Sequence, residues 1–172
     1  MIRYLDSATH LHQNRPDLAG EHKLTDAGQV ILLVIFLIVW ILDSFVFKYS
    51  TFLSDDIKWY YRIIPGGIIL GGAQFIAWSG IKTVFGEVRE PPQVITKGVF
   101  SFVRHPVYFG SSFAIFGLVI MTLSVFSFVI WLMVIIFYYY VSHHEEKLLL
   151  AKFGKEYEDY MKKVPMLFPV RF

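Results

Sequence analysis

No cysteine occurs among the 172 residues. That excludes disulfides, Cys-ligated zinc, iron–sulfur clusters and a thiol nucleophile. Charge is scarce too: Asp, Glu, Lys and Arg make up 17% of the chain, against about 25% in a typical soluble domain. What charge there is nearly cancels, with 16 Lys and Arg against 14 Asp and Glu, so no nucleic acid or other polyanionic partner is expected. Internal repeats, low-complexity linkers and the G-x-G-x-x-G fingerprint of a soluble dinucleotide fold are all missing. Apolar residues are plentiful, at 55% of the chain, with a mean hydropathy of +0.52. A soluble core of this size cannot hide that much apolar side chain, which implies one small all-α, integral membrane helical bundle spanning 1–172.

Uncharged runs locate the spans. Residues 28–47 are uncharged apart from Asp43, mostly apolar, and follow a polar arm, 1–27, that carries His10 and His12. Twenty such positions cross a hydrocarbon core of about 30 Å, and the run is too long and lacks the cleavage site of a signal peptide. The run Ile63–Ile81 is bracketed by Arg62 and Lys82 and contains the pairs Gly66-Gly67 and Gly71-Gly72, which allow close helix–helix approach in lipid. From Pro106 to Ser142 no formal charge occurs. As one helix that run would be about 55 Å long, so two spans, 107–123 and 125–142, joined by a turn near Ser124 are expected.

The four spans divide the basic residues unequally. Thirteen fall on the N-terminal arm, the 82–105 loop and the tail, and three (Lys48, Lys58, Arg62) on the other side. The positive-inside rule therefore places both termini and the 82–105 loop in the cytoplasm. Trp59, Tyr60 and Tyr61 open the second span and Tyr138, Tyr139 and Tyr140 close the fourth, as interfacial aromatic belts do.

Candidate functional residues lie where the membrane ends. Helix-compatible sequence runs from Val125 to Phe153 with Gly154 as its C-cap, about 43 Å, which lifts Glu145 and Glu146 beyond the hydrocarbon. Tyr157, Tyr160, Met161 and Val164 then form the apolar face of a short helix, set either on the membrane surface or folded back as a lid. Pro106 suits the first turn of the third span, so Arg104 and His105 stand at its N-terminus with Tyr108 just inside. An antiparallel hairpin brings Arg104–His105 and Glu145–Glu146 to one face, where opposed charges could hold a zwitterion. Simpler readings compete. Arg104 and His105 could be interfacial anchors, and the glutamates a solvated face near Lys147 and Lys152. His105, His143, His144 and Glu145 could ligate a metal, although adjacent helical histidines point about 100° apart. Asp43 is either functional or a headgroup contact.

The spacing Gly98-x5-Arg104-His105-Pro106-x-Tyr108-x-Gly110, then Glu145-Glu146-x2-Leu149-x3-Phe153-Gly154-x2-Tyr157-x2-Tyr160 and Phe168-Pro169, resembles the isoprenylcysteine carboxyl methyltransferases and the wider group that includes phospholipid methyltransferases. It covers residues 93–169, a stretch the resemblance marks as a cofactor-binding core. It implies methyl transfer from S-adenosyl-L-methionine, at the membrane–cytosol boundary, to an isoprenylcysteine-like carboxylate, a lipid amine or a small thiol. By motif position His105, Tyr108, Glu145 and Glu146 look like cofactor contacts, with the backbone at Val94, Ile95 and Gly98 as further candidates. Arg104 is assigned to the acceptor as a catalytic residue. No metal is implied. Membrane lipids and an amphiphilic or small-molecule acceptor are the expected partners, and the oligomeric state is left unassigned. A nicotinamide-dependent membrane reductase with a similar C-terminal hairpin and a non-catalytic four-span scaffold or lipid-binding protein are the alternatives.

Overall fold

The computed structural model describes residues 23–86 and 91–169, with side chains described from Ala27 onward; His10 and His12 lie outside the described residues. All described elements are helical. Helix α1, Lys23–Ile41, runs into a π-helical segment, Leu42–Phe47; α2, Leu53–Asp56, is a single turn; α3 is Tyr60–Phe85. A 3-10 turn, Gly98–Ser101, precedes α4, Pro106–Thr122; α5 is Val125–Phe153 and α6 is Lys155–Met161. Among the described residues, three stretches are long and apolar enough to cross a membrane: Ala27–Phe47, Tyr60–Phe85 and Val125–Phe153. The fourth, α4, has 17 residues, about 25 Å of helix and slightly short of the usual span. Ile68 is 71% and Phe75 65% exposed on the bundle exterior, as befits side chains that face lipid rather than water.

Helices α3 and α4 pack so closely that side chains larger than hydrogen are excluded along their seam. A Cβ on Gly110 would lie 2.6 Å from the Ala73 carbonyl oxygen, and one on Gly117 would lie 2.8 Å from that of Gly66. Small residues thus supply the van der Waals contact that drives helix association in lipid. Of the two glycine pairs expected to do this, only the first takes part: Gly66 abuts Gly117 and Met121, whereas a Cβ on Gly71 or Gly72 would meet nothing within 4 Å.

The turn between α4 and α5 falls at Leu123–Ser124 without Gly or Pro. Leu123 ends α4 in the left-handed region (φ 53°), its N–H bonded to the Val119 carbonyl, and Ser124 caps α5 by accepting from the Ser127 N–H. Away from this turn, Phe36, Ile115, Val119, Val134, Tyr138 and Leu167 form the main core, joining α1, α4, α5 and the C-terminal segment.

At the other end of α5, Gly154 (φ 54°) reverses the chain, a conformation that favours glycine because it has no Cβ. Helix α6 therefore folds back instead of continuing outward. Tyr157, Tyr160 and Val164 bury against Leu149, Leu150, Phe153 and Val94, so of the two expected placements for this helix the folded-back one is observed.

Candidate functional site

Pro106 shapes the site before any side chain does. A residue preceding proline is driven out of the helical region, and His105 accordingly has φ −120°, ψ 68° and caps α4. The backbone N–H groups of Arg104 and His105, which no helix needs, donate to the carbonyls of Pro165 (2.9 Å) and Met166 (3.1 Å). The C-terminal segment is thereby tied across the entry to α4.

The two glutamates of α5 have different surroundings. Successive helical residues are about 100° apart, so they cannot face the same way. Glu146, with a side chain only 4% exposed, accepts from Arg104 Nε at 2.6 Å. Arg104 Nη1 in turn donates to the carbonyls of Met161 (2.9 Å) and Val164 (2.5 Å). Glu145, 29% exposed, accepts from the Tyr108 hydroxyl at 2.5 Å. His105 lies between them, with Nδ1 3.5 Å from Glu145 and Nε2 3.4 Å from Glu146. The second contact lacks hydrogen-bond geometry, leaving Nε2 a buried nitrogen with no hydrogen-bond partner among the described residues. Burial by itself would push the imidazole pKa down; the two carboxylates outweigh it and hold it above the ordinary histidine value.

This cluster opens into a cavity of about 420 Å³, within the size range of small-molecule sites. Arg104, His105, Tyr108 and Glu145 line it on the ionic side; Ile81, Val84 and Phe85 of α3 form an apolar wall. Phe100, Phe153, Tyr157 and Tyr160 add aromatic faces, and the Tyr160 hydroxyl donates to the Phe100 carbonyl at 2.6 Å. Burial pushes both tyrosine phenols well above their ordinary pKa, so they stay neutral.

Of the residues singled out from sequence, Arg104, His105, Tyr108, Glu145, Val94 and Ile95 meet at this cavity. Glu146 stands behind it, engaged by Arg104 and His105. Gly98 is not part of the lining; with φ +63° it starts the 3-10 turn that carries Phe100 to the cavity. Gln29, Gln93 and the aromatic lining were not anticipated as site residues. Tyr157 and Tyr160 had a legible signal, their i, i+3 spacing just after Gly154, whereas an amide at the start of an apolar span carries little. Asp43 is remote from the site and bonded to Ser50 and Ser124.

The family model described as phospholipid methyltransferase matches residues 61–156, which is 96 of 172 residues. The match begins in α3, ends in α6 and includes the whole ionic cluster. No curated protein and no solved structure is matched.

Proposed function

The chain belongs to the phospholipid methyltransferase family, a membrane methyltransferase family, and on that premise we propose that it methylates an amphiphilic acceptor using S-adenosyl-L-methionine bound in the cavity beside Glu145. The observation that carries this reading is a partly exposed carboxylate, braced by Tyr108 and His105, at the edge of an aromatic-lined space of about 420 Å³. The donor set fits. Glu145 can take an ammonium or ribose hydroxyls, and His105 can face a carboxylate. Phe100, Tyr108, Phe153, Tyr157 and Tyr160 offer ring faces to an adenine and to a sulfonium, which aromatic quadrupoles attract.

The chemistry such a donor brings is a methyl group on a positively charged sulfur, open to in-line attack. The chain then has to align the two reactants and keep water out. Alignment falls to Glu145, held by Tyr108, and to His105, pinned between two carboxylates. Exclusion of water falls to α6 and the segment after it, which Arg104 fastens through the Met161 and Val164 carbonyls. Under this reading Arg104 and Glu146 position the site, and neither is asked to take a proton. A carboxylate or thiolate acceptor needs no base, whereas an amine must arrive deprotonated. The apolar wall of Ile81, Val84 and Phe85 favours an acceptor with a hydrocarbon tail, such as an isoprenylcysteine-like carboxylate or a lipid amine.

The same proposal puts both termini and the site on the cytoplasmic side, on the strength of the 13-to-3 division of basic residues. One experiment addresses chemistry and orientation together, since the cysteine-free chain accepts single labels cleanly. In intact cells an impermeant thiol reagent should label Ser54→Cys and spare Ser101→Cys. In sealed vesicles, labelled S-adenosylmethionine should yield methylated lipid-soluble product only when supplied on the Ser101 face. Transfer from the Ser54 face would reverse the site's orientation, and absence of donor use from either face would remove the cofactor assignment.

A further inference from the structure

Most polar groups around the cavity already have partners within the chain. Arg104 binds Glu146, Tyr108 binds Glu145, and Tyr160 binds the Phe100 carbonyl. Gln29 and Gln93 also line the cavity, yet neither amide has a hydrogen bond to any described residue. Their positions differ. Gln93 is on the polar connection that carries Val94 and Ile95. Gln29 sits near the start of the apolar stretch Ala27–Phe47, followed by Val30 and Ile31, which are 60% and 57% exposed on a membrane-facing surface. It is half-buried, and its position is set by packing: a Cβ on the preceding Gly28 would lie 2.7 Å from Phe137 Cζ of α5. Helix α1 is thus held against α5 so that one amide projects at the cavity from within the bilayer side.

That amide belongs to α1, outside the stretch matched by the family model, and it lines the same cavity as the apolar wall of Ile81, Val84 and Phe85. An amphiphile whose tail lies along Ile81, Val84 and Phe85 brings its head past it. A primary carboxamide both donates and accepts and carries no charge, so it complements a neutral group of the same kind better than an ion. An amide with no hydrogen-bond partner among the described residues, lining the same cavity as an apolar wall, also discriminates strongly, because an acceptor lacking the matching group leaves it desolvated and unpaired.

We propose that Gln29 is a specificity-determining residue that hydrogen-bonds an uncharged hydroxyl or carboxamide in the head of the amphiphilic acceptor. This rests on the methyl-acceptor reading of the cavity given above, and its test separates the two. The probes are matched pairs, dodecylamine against 1-aminododecan-2-ol and 1-dodecanethiol against 1-mercaptododecan-2-ol. Their binding to the full chain in phosphatidylcholine nanodiscs is measured by native mass spectrometry, with empty nanodiscs correcting for partition, and with or without S-adenosylhomocysteine. Wild type should prefer the hydroxylated member of at least one pair by about fivefold, the worth of one neutral hydrogen bond. Gln29→Leu and Gln29→Ala should both lose that preference and keep the wild-type affinity for S-adenosylhomocysteine. Absence of any preference in wild type, its persistence in both Gln29 variants, or its loss in Gln93→Leu alone would overturn the proposal. Failure of S-adenosylhomocysteine to bind wild type would overturn the donor assignment, while the hydroxyl preference measured without it still decides Gln29.

Discussion

The two ends of α4 each hold a buried carboxylate, handled in opposite ways. At the turn end, Asp43 accepts from the Ser50 N–H (3.0 Å), the Ser50 hydroxyl (2.5 Å) and the Ser124 hydroxyl (2.6 Å). Each hydroxyl also accepts, Ser50 Oγ from the Phe126 N–H and Ser124 Oγ from the Ser127 N–H. The cluster is closed, 4% exposed at Asp43, and adjoins no described cavity. At the other end, Glu146 is as deeply buried but pairs with cations, and its neighbour Glu145 faces open space. A closed polar cluster in a membrane bundle fastens helices together. An open one, with a buried nitrogen that has no hydrogen-bond partner among the described residues, leaves room beside it for a ligand, as the proposed function requires. Two non-glycine residues in the left-handed region, Lys48 and Leu123, flank the closed cluster, a conformation that costs about 1–2 kcal/mol each and that its hydrogen bonds help to hold.

The largest expected effect comes from opening the closed end. Asp43→Ala removes an acceptor from three buried donors at once and should lower unfolding free energy by about 3–4 kcal/mol. Asp43→Asn, which keeps an oxygen for part of the set, should recover a portion. Affinity of the folded fraction for S-adenosylhomocysteine should stay at the wild-type value, because no cavity residue touches this cluster. A detergent-resistant thermal transition read alongside ligand affinity makes the check, and a parallel fall in both would erase the distinction between the two ends.

Within the site, the adjacent glutamates sharpen the comparison. Glu146→Gln breaks a buried pair but leaves an amide oxygen for Arg104, so a loss of about 2–3 kcal/mol in stability is expected. It should be accompanied by faster proteolysis after Gly154, because Arg104 would hold the Met161 and Val164 carbonyls less firmly. Glu145→Gln should do the reverse, with near-normal stability and an S-adenosylhomocysteine affinity weaker by about 1–3 kcal/mol. Identical behaviour of the two variants in both assays would contradict their division into a bracing and a ligand-facing carboxylate.

That division marks where sequence reasoning stops. The length of α5, its glycine cap and the meeting of Arg104–His105 with Glu145–Glu146 all follow from charge-free run lengths and the antiparallel sense of a hairpin, which act locally. Which glutamate faces inward depends on the rotation of α5 about its axis, set by distant contacts such as Phe137 against Gly28 and Leu167 in the main core. For the same reason Gly110 and Gly117, not Gly71 and Gly72, carry the close packing of α3 on α4: small residues permit an approach, and the partner surface decides whether it occurs. The partners of Asp43 were hidden because Ser50 and Ser124 are 7 and 81 residues away in the chain. Gln29 was hidden because a cavity wall can come from a helix with no motif of its own.

The smallest expected effect is the pH response of His105, since it is a difference between opposing influences. Burial works against the charged ring, and Glu145 and Glu146 work for it, with a net rise in the folded-state pKa. A raised value means that the folded state binds the proton more tightly than the unfolded chain, where histidine titrates near about 6.5. The stability this contributes is therefore complete below about pH 6.5 and is lost as the pH rises through the elevated folded value. Comparing unfolding free energy in wild type and His105→Gln across that window isolates it, because the glutamine still fills the site without titrating there. The gap between the two proteins should be widest on the acid side and shrink as the pH climbs. Asp43→Asn, at the closed end, should leave that pH-dependent gap unchanged. A gap that instead widened with rising pH would mean that burial, not the carboxylate pair, governs the ring. The open cluster would then hold a neutral imidazole between two anions, and Glu146 would rely on Arg104 alone.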